Sequence, residues 1–242
     1  MAIQALADGR VLAERIGGSP ARVVALHGWG RTGADFTGVL AGIDAVAIHL
    51  PGFGPAGAPD EVWGTADYAR LVAEAIEPLG PVVIVGHSFG GRIAVRLAAS
   101  RPELVSGLVV TGAPLVRLAP VSKPSLTYRI AKALNRIGVI PDSVMEARRK
   151  KSGSVDYNAA QGIMRDIMVK TVNENYDDDL ARITAPTWLV WGQNDTAAPT
   201  AAGKAASDRI RGAHWTVVPN EAHLLTPNLG AAVRAAVDEA LA

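Results

Sequence analysis

The chain has 242 residues, of which 49% are hydrophobic and 19% are charged, so it is long enough for one large globular domain or two small ones. Its 24 Lys and Arg nearly balance its 23 Asp and Glu, and the net charge of +1 argues against a protein that binds nucleic acid or a membrane surface. The absence of cysteine excludes disulfides, thiolate metal sites and a cysteine nucleophile. The start of the chain lacks a signal-peptide pattern and no apolar run reaches the roughly 18 residues of a membrane span, so we predict a cytoplasmic protein.

Short β-branched apolar segments recur along the chain and predict strands that are buried on both faces of a sheet. An Asp8-Gly9 pair between the first two segments indicates a hairpin with a primed turn. The predicted strands cover residues 3–7, 11–16, 22–26, 45–50, 82–85, 108–110, 187–191 and 215–218.

Segments with helical spacing of apolar residues lie between these strands, at 67–79, 89–100 and 227–241. The alternation predicts an α/β fold with an open, mostly parallel sheet of about eight strands, helices on both faces and the first hairpin at one edge. In such sheets, functional residues gather at the carboxyl ends of the strands.

The alternation stops between residues 115 and 182, where the pattern predicts only helices, at 125–137, 142–151 and 157–173. We therefore predict a core made of residues 1–114 and 183–242, with a helical insertion at 115–182. Between residues 117 and 151, nine Lys and Arg outnumber two Asp and Glu. Such a surface is either a solvated helical face or a lid that attracts an anionic substrate or carrier.

The motif that carries chemistry is VVIVGHSFGG at residues 82–91, a strand followed at once by G-x-S-x-G and then by a helix. This context predicts that Ser88 is a nucleophile on a sharp turn whose strained backbone exposes the hydroxyl. Gly86 and Gly90 allow neighbouring chain to pass close to that turn. The amino end of the following helix adds its positive dipole to the site.

A serine hydroxyl needs a base to accept its proton. Among the five histidines, His223 follows the last predicted strand, which places it at the same edge of the sheet as Ser88. His87 is adjacent to Ser88, but neighbouring side chains across such a turn point apart. His49 and His214 are predicted to be structural or exposed.

The base in turn needs an acid that orients it, and Asp195 follows the predicted strand 187–191 at the same edge. Its alternative role is to cap a helix that begins near Thr200. The acidic run 177–179 is predicted to be a solvated helix start. The chain order Ser88, Asp195, His223 differs from the orders in chymotrypsin-like and subtilisin-like proteins.

A tetrahedral intermediate also needs two N–H donors for its oxyanion. The backbone of Phe89, directly after the nucleophile, is predicted to supply one. We assign the second to Trp29 in the sequence His-Gly-Trp-Gly at residues 27–30, for which the alternative is a glycine turn with a packed tryptophan.

Together, residues 27–30, residues 86–91, Asp195 and His223 resemble the α/β-hydrolase superfamily, and Leu-Pro-Gly-Phe-Gly at 50–54 is similar to its loop after the fourth strand. The resemblance covers nearly the whole chain. It implies that Ser88 is the nucleophile, His223 the base, Asp195 the orienting acid and residues 115–182 a cap over the pocket. The chain departs from the pattern at residue 49, where many members have a structural aspartate instead of histidine. A serine at 88 argues against the haloalkane dehalogenase and epoxide hydrolase branches, whose nucleophile is an aspartate.

The His-Gly-Trp-Gly loop and the basic insertion are also similar to the carboxylesterases that cleave the methyl ester of pimeloyl-acyl carrier protein. This similarity implies a substrate attached to a phosphopantetheine arm on an acidic carrier. The residues expected to contact it are Arg117, Lys123, Arg129, Lys132 and Arg136.

These observations predict a serine hydrolase that cleaves a small acyl ester or thioester, or one borne by an acyl carrier, without a metal or organic cofactor. Meta-cleavage C–C hydrolases use the same three residues, and so can a lyase or an acyltransferase. A ligand-binding protein on the same fold can also retain them without turnover.

Overall fold

The structure is a computed structural model, and it describes residues 2–118, 135, 141, 143 and 155–242. The strands of this part form a single sheet. They are β1 Ala2–Leu6, β2 Val11–Ile16, β3 Val23–Leu26, β4 Ala45–His49, β5 Val82–His87, β6 Val105–Thr111, β7 Thr187–Gly192 and β8 His214–Val218.

Helices connect and cover these strands, and within the described ranges we number them in chain order. They are α1 Thr65–Ile76, α2 Phe89–Ser100, α3 Val155–Ala159, α4 Gly162–Val172, α5 Asp177–Arg182, α6 Thr200–Ser207 and α7 Pro227–Leu241. Short 3-10 helices lie at Gly33–Phe36, Glu77–Leu79 and Pro102–Leu104.

The sheet has the order β1-β2-β4-β3-β5-β6-β7-β8, which confirms the predicted eight-stranded α/β architecture. β1 pairs antiparallel with β2 and β2 pairs antiparallel with β4, whereas the neighbours from β4 to β8 are parallel. The register pairs Leu26 with Gly86 and His87 with Thr111. The loops that follow β3, β5 and β6 therefore leave the sheet side by side at its carboxyl edge.

The predicted hairpin forms, but its turn lies one residue earlier than the Asp8-Gly9 pair indicated. Leu6 pairs with Val11, and the left-handed residues at the turn are Ala7 at φ 50° and Asp8 at φ 55°. The amide of Gly9 donates to the carbonyl of Leu6 over 3.1 Å and closes the turn. Gly9, at φ 86°, and Arg10 complete the four-residue loop between the paired residues Leu6 and Val11.

The helices follow the predicted pattern closely in the core and less closely in the segment 115–182. α2 and α7 have the predicted bounds, and α1 starts two residues before residue 67 and ends at Ile76. The predicted helix 157–173 is instead divided into α3 and α4: the backbone is extended at Gln161, with φ −129° and ψ 159°, and left-handed at Gly162, with φ 51°. The predicted helices 125–137 and 142–151 lie outside the described residues, apart from residues 135 and 143.

Apolar side chains are buried on both faces of the sheet, as the continuous β-branched strands predicted. One cluster joins the sheet to α1 and α2, and the other joins it to α7 and Phe36. Trp191 on β7 is fully buried, and its indole N–H donates to the carbonyl of Ala198 over 2.7 Å. This bond holds the loop after β7 against the core, and that loop contains Asp195.

Candidate active site

Ser88 lies on the turn between β5 and α2 and has the strained backbone that its motif predicted, with φ 52° and ψ −110°. The flanking glycines are required by close packing. A Cβ atom on Gly86 would lie 2.6 Å from the Cα of Gly91, and one on Gly90 would lie 2.1 Å from the carbonyl oxygen of Leu26. The turn therefore presents the Ser88 hydroxyl at the carboxyl edge of the sheet.

The structure brings Ser88, Asp195 and His223 together in one line of hydrogen bonds. The Nε2 atom of His223 lies 3.0 Å from the Oγ of Ser88, and its Nδ1 lies 2.8 Å from the Oδ2 of Asp195. An ionised carboxylate only accepts hydrogen bonds, so Nδ1 carries the ring proton and Nε2 of the neutral imidazole is free to accept one from the serine. This geometry is the one that a nucleophile, a general base and an orienting acid would require.

Asp195 is held in place by its own loop. Its Oδ1 accepts the amide protons of Ala197 over 2.9 Å and of Ala198 over 2.8 Å, which leaves Oδ2 for the histidine. The aspartate thus caps the turn after β7 and also contacts His223. It does not cap helix α6, whose N-cap residue is Pro199, so the alternative role considered from the sequence is not observed. Its side chain is almost fully buried.

Gly112 is a residue of the site that the sequence reasoning missed. It follows β6 with φ 58°, and a Cβ atom there would lie 3.1 Å from Nδ1 of His223 and 3.3 Å from Oδ2 of Asp195. Its lack of a side chain makes room for the histidine–aspartate pair. The available signal was a glycine placed directly after a buried strand at the functional edge.

The loop that carries His223 is anchored by Glu221, which is buried. Its carboxylate accepts from the hydroxyl of Thr226 and, over 3.0 Å, from the side-chain amide of Asn228. Its backbone carbonyl accepts the amide of Asn194 over 2.7 Å. The His223 loop and the Asp195 loop are therefore fixed to each other and to the start of α7.

The two predicted oxyanion donors lie on segments that contact each other. Phe89 starts α2, so its N–H has no acceptor within the helix. Trp29 is the second residue of a turn that is closed by the bond from the amide of Arg31 to the carbonyl of Gly28, which leaves the Trp29 N–H unused by that turn. The rings of Trp29 and Phe89 pack edge to face, with centroids 5.2 Å apart. The amide of Gly90 donates to the carbonyl of His27 over 3.0 Å and ties the two segments together.

His27 links the Trp29 loop to the loop after β4 through two hydrogen bonds. Its Nε2 accepts the amide proton of Leu50 over 3.0 Å, so the ring proton is on Nδ1 and is donated to the carbonyl of Gly28 over 2.7 Å. Burial lowers the pKa of His27 to about 4, so the ring is neutral at physiological pH. The sequence assigned His27 only to a turn and gave it no role of its own.

A cleft of about 370 Å³ opens beside the Trp29 loop, between the loop after β4 and helices α3 and α4. Aromatic and aliphatic side chains form much of its lining, with Asp156 and Gln161 as polar members. Its described lining residues are Trp29, Gly30, Gly52, Phe53, Asp156, Ala159, Ala160, Gln161 and Met164.

Of the basic residues expected to contact a carrier, only Arg117 falls within the described residues. Its guanidinium donates to the carbonyl of Val172 at the end of α4. Lys123, Arg129, Lys132 and Arg136 lie outside the described residues, and their role stays a prediction.

Two further histidines and the acidic run 177–179 were also assigned roles from the sequence. His49 is buried and accepts the amide of Gly33 over 3.3 Å, and His214 is exposed and stacks on Trp188. The run 177–179 does start helix α5, but the prediction that it is solvated was wrong for Asp179. That side chain is buried because it pairs with Arg96 of α2.

Two kinds of feature are absent from the described part of the chain. None of its helices is both long enough and apolar enough to cross a bilayer. No three of its His, Asp or Glu side chains are grouped so that they could hold a metal ion.

The chain is similar to a family of known proteins. The model of the alpha/beta hydrolase family matches residues 23–237. An esterase of Mycobacterium tuberculosis is 35% identical over 113 residues, which are 45% of this chain and 38% of that protein. A pimeloyl-[acyl-carrier protein] methyl ester esterase of Aeromonas salmonicida is 23% identical over 88% of this chain and 92% of its own length.

The chain spans 36% to 58% of the length of the first three curated relatives that it matches. Among solved structures, an esterase from Exiguobacterium antarcticum superposes with a TM-score of 0.71 at 21% identity, covering 96% of each chain. That likeness concerns the fold. The family match, which extends from β3 into α7, is the evidence for descent: the chain belongs to the alpha/beta hydrolase family.

Proposed function

We propose that this protein is a serine hydrolase that cleaves a carboxylic ester or thioester through an acyl-enzyme. The observation that carries the proposal is the unbroken line from Asp195 through His223 to Ser88, with separations of 2.8 Å and 3.0 Å. The esterase names of several relatives support the same class of substrate.

In the acylation step, Nε2 of His223 takes the proton of the Ser88 hydroxyl as its Oγ attacks the carbonyl carbon of the ester. The negative charge moves to the carbonyl oxygen, where the N–H groups of Trp29 and Phe89 stabilise it. The bond to the leaving group then breaks, and the proton on Nε2 passes to that group.

In the deacylation step, water repeats the sequence. His223 takes one proton of the water as the hydroxide attacks the acyl carbon, and it returns that proton to the Oγ of Ser88 as the acid leaves. Asp195 keeps the imidazole in the Nδ1–H tautomer and stabilises its charged form during both steps.

We propose that residues 115–182 form a cap over the pocket, as predicted from the sequence. Between residues 155 and 182 the described segment is helical without strands, and it supplies Ala160 and Met164 to the cleft beside Trp29. An apolar cleft of this kind favours an uncharged acyl group.

The test combines covalent labelling with turnover. Wild-type protein and Ser88→Ala are treated with a fluorophosphonate probe and assayed on short p-nitrophenyl esters and an acyl thioester. We expect labelling and hydrolysis by the wild type and neither by the variant. No labelling and no hydrolysis in either protein would identify a ligand-binding protein instead of an enzyme.

The fate of the acyl group separates the remaining reactions of the family. Trapping the acyl-enzyme and following it in water is expected to release the free acid. Transfer to an added alcohol or amine in preference to water would identify an acyltransferase, and cleavage of a vinylogous diketone without ester hydrolysis would identify a C–C hydrolase.

The proposal of an acyl carrier substrate is tested separately. Lys123→Glu, Arg129→Glu and Arg136→Glu are combined, and hydrolysis of a carrier-bound ester is compared with that of the same ester free in solution. We expect the combined variant to lose activity on the carrier-bound ester alone. Equal activity on both esters would remove the carrier from the proposal.

A further inference from the structure

His87, the last residue of β5, lies directly before Ser88 and is 2% exposed. Its imidazole lies beside that of His223, with ring centroids 5.0 Å apart. Its Nε2 atom is 2.8 Å from the backbone carbonyl oxygen of His223. A residue next to the nucleophile in sequence therefore holds the residue that is proposed to be its base, 136 positions later.

The direction of this bond follows from its chemistry. A carbonyl oxygen can only accept, so Nε2 of His87 must carry the ring proton and donate it. The ring carries only this one proton at neutral pH, because burial lowers the pKa of His87 to about 4 and the nearby His223 lowers it as well. At physiological pH, His87 is thus a neutral, directional donor.

The opposite side of the ring is enclosed by the Trp29 loop. Among the hydrogen bonds of the described residues, Nδ1 of His87 has no partner. A Cβ atom on Gly28 would lie 3.0 Å from this nitrogen and 3.4 Å from the Cβ of Ser88. The ring is therefore confined between the loop that carries the proposed oxyanion donor and the loop that carries the proposed base.

We propose that His87 is a positioning residue: its Nε2–H holds the carbonyl of residue 223 and thereby sets the distance between that residue's imidazole and the Ser88 hydroxyl. This inference rests on the proposed function for its catalytic consequence. Other anchors of the loop act at Glu221 and at Asn220, whose amide donates to Gln193. Asp195 binds the imidazole of His223, whereas the bond from His87 holds the backbone of that residue. A misplacement of about 1 Å at a reacting group can cost about 100-fold in rate.

The geometry separates this role from that of a second base or of a packing residue. The protonated nitrogen of His87 faces a carbonyl, and the Ser88 hydroxyl donates its hydrogen bond to Nε2 of His223 instead. An apolar side chain of similar volume would fill the space but would leave the carbonyl of residue 223 without this donor.

The experiment compares His87→Gln, whose side-chain amide can reach and donate to the same carbonyl, with His87→Met, which fills the space without a donor. His214→Met is the control for the same substitution at another histidine, because His214 is exposed and its ring stacks on Trp188, away from the bond under test. We expect His87→Met to lower kcat by about 10- to 100-fold with KM changed by less than about threefold. His87→Gln should retain kcat within about fivefold of the wild type, and the control should be unchanged.

Nitrogen NMR of the wild-type histidines tests the same bond without any substitution or turnover. We expect His87 to hold its proton on Nε2 and to remain neutral at pH 6, and the Nδ1 proton of His223 to stay sharp in His87→Gln but to broaden in His87→Met. A proton on Nδ1 of His87, or equal kcat in the Gln and Met variants, overturns the proposal. If the wild type hydrolyses no ester, the proposed function fails, while the tautomer and the His223 resonance still decide whether His87 holds the loop.

Discussion

Helix α2 takes part in two regions of the molecule that are held together by different forces. At its amino end, the loops around Ser88 are joined by backbone hydrogen bonds and two buried neutral histidines, His27 and His87. Further along, its arginines bind the segment at residues 171–182, which we call the return segment. The first region is held by close packing and by histidines of defined tautomer, and the second is held by the contacts of charged side chains.

The return segment is bound through Arg92 and Arg96, one helical turn apart. Arg92 donates to the carbonyl of Thr171 over 3.2 Å, and burial lowers the pKa of its guanidinium. Arg96 pairs with the buried Asp179 and donates to the carbonyl of Asn175 over 3.0 Å.

Two further side chains complete the charged network around Arg96. Its guanidinium lies 4.7 Å from the ring centre of Tyr176, and the hydroxyl of that tyrosine donates to Glu174 over 2.9 Å. Glu174 also accepts the amide of Thr65 at the start of α1 over 3.1 Å. The return segment is thus fastened to α1 and α2 at the same time.

The contrast has a practical consequence for how each region fails. Loss of a group in the loops around Ser88 is expected to remove chemistry and leave the fold, because few charges are left unpaired there. Loss of a partner in the arginine network leaves a buried charge uncompensated and is expected to remove stability and leave the chemistry.

The largest effect on this contrast is expected from Ser88→Ala. The variant removes the nucleophilic hydroxyl and the hydrogen bond that it donates to His223, but it leaves the packing of neighbouring side chains unchanged. We therefore expect kcat on a p-nitrophenyl ester to fall by about 10⁴-fold or more with an unchanged melting temperature. Steady-state kinetics and calorimetry on the same sample measure both. Residual activity within tenfold of the wild type contradicts the role of Ser88.

The next effect is expected from Asp195→Asn, which keeps the volume and changes the acceptor. The amide can no longer enforce the Nδ1–H tautomer of His223, so kcat should fall by about 10⁴-fold while KM changes little. Burst kinetics with a p-nitrophenyl ester measure the loss in the acylation step. Asn173→Asp, an isosteric change of opposite sense on the return segment, is the control and should keep kcat. A loss of less than tenfold in Asp195→Asn would contradict the role of this carboxylate.

The reverse outcome is expected from Arg96→Met. Among the described residues, it leaves the carboxylate of Asp179 paired with Arg182 alone, which is largely exposed, so the free energy of unfolding should fall by about 3 kcal/mol. The kcat of the folded variant at 25 °C should stay within about threefold of the wild type. Urea unfolding and activity are measured together.

Arg101→Met serves as the control for Arg96→Met, because Arg101 forms its pairs with Glu77 and Glu103 at the exposed end of α2. We expect no measurable change in its unfolding midpoint. If Arg96→Met loses activity in parallel with stability, the two regions are coupled more tightly than the contacts indicate.

The last prediction concerns the pH dependence of stability. The pKa values of His27 and His87 are lowered from 6.5 to about 4 by burial, so the unfolded chain binds protons that the folded chain does not as the pH falls from 6.5 towards 4. Each histidine should lower the free energy of unfolding by about 1 kcal/mol per pH unit in this window. Urea unfolding at pH 7, 6 and 5 measures the slope, which should be reduced in His87→Gln; an unchanged slope would mean that His87 does not titrate in this way.

Much of the site could be predicted because its residues stand at the ends of strong local patterns. Ser88 lies between a buried strand and a helix, and Asp195 and His223 each follow a buried or partly buried strand, so the parallel sheet delivers all three to one edge. The glycines around Ser88 could be predicted equally well, because a strained turn and a close approach of the backbone both require them.

The error at residues 177–179 arose from a contact between distant segments. The solvated helix start predicted at 177–179 failed at Asp179 because Arg96, 83 residues earlier, buries it. The contact between His87 and His223 could not be predicted for a similar reason, since the bond from His87 goes to a backbone carbonyl and no side-chain pattern marks it.

The amino-acid sequence by itself determined the alternation of strand and helix, the strained turn at Ser88 and the sheet edge where the acid and the histidine arrive, because each of these follows from local periodicity and backbone sterics. Only the tertiary structure decided that Gly112 makes room for the histidine–aspartate pair, that two neutral histidines brace the loops and that an arginine network binds the return segment. Those features arise where segments far apart in the chain are packed together, and burial there sets the protonation state and the partner of each group.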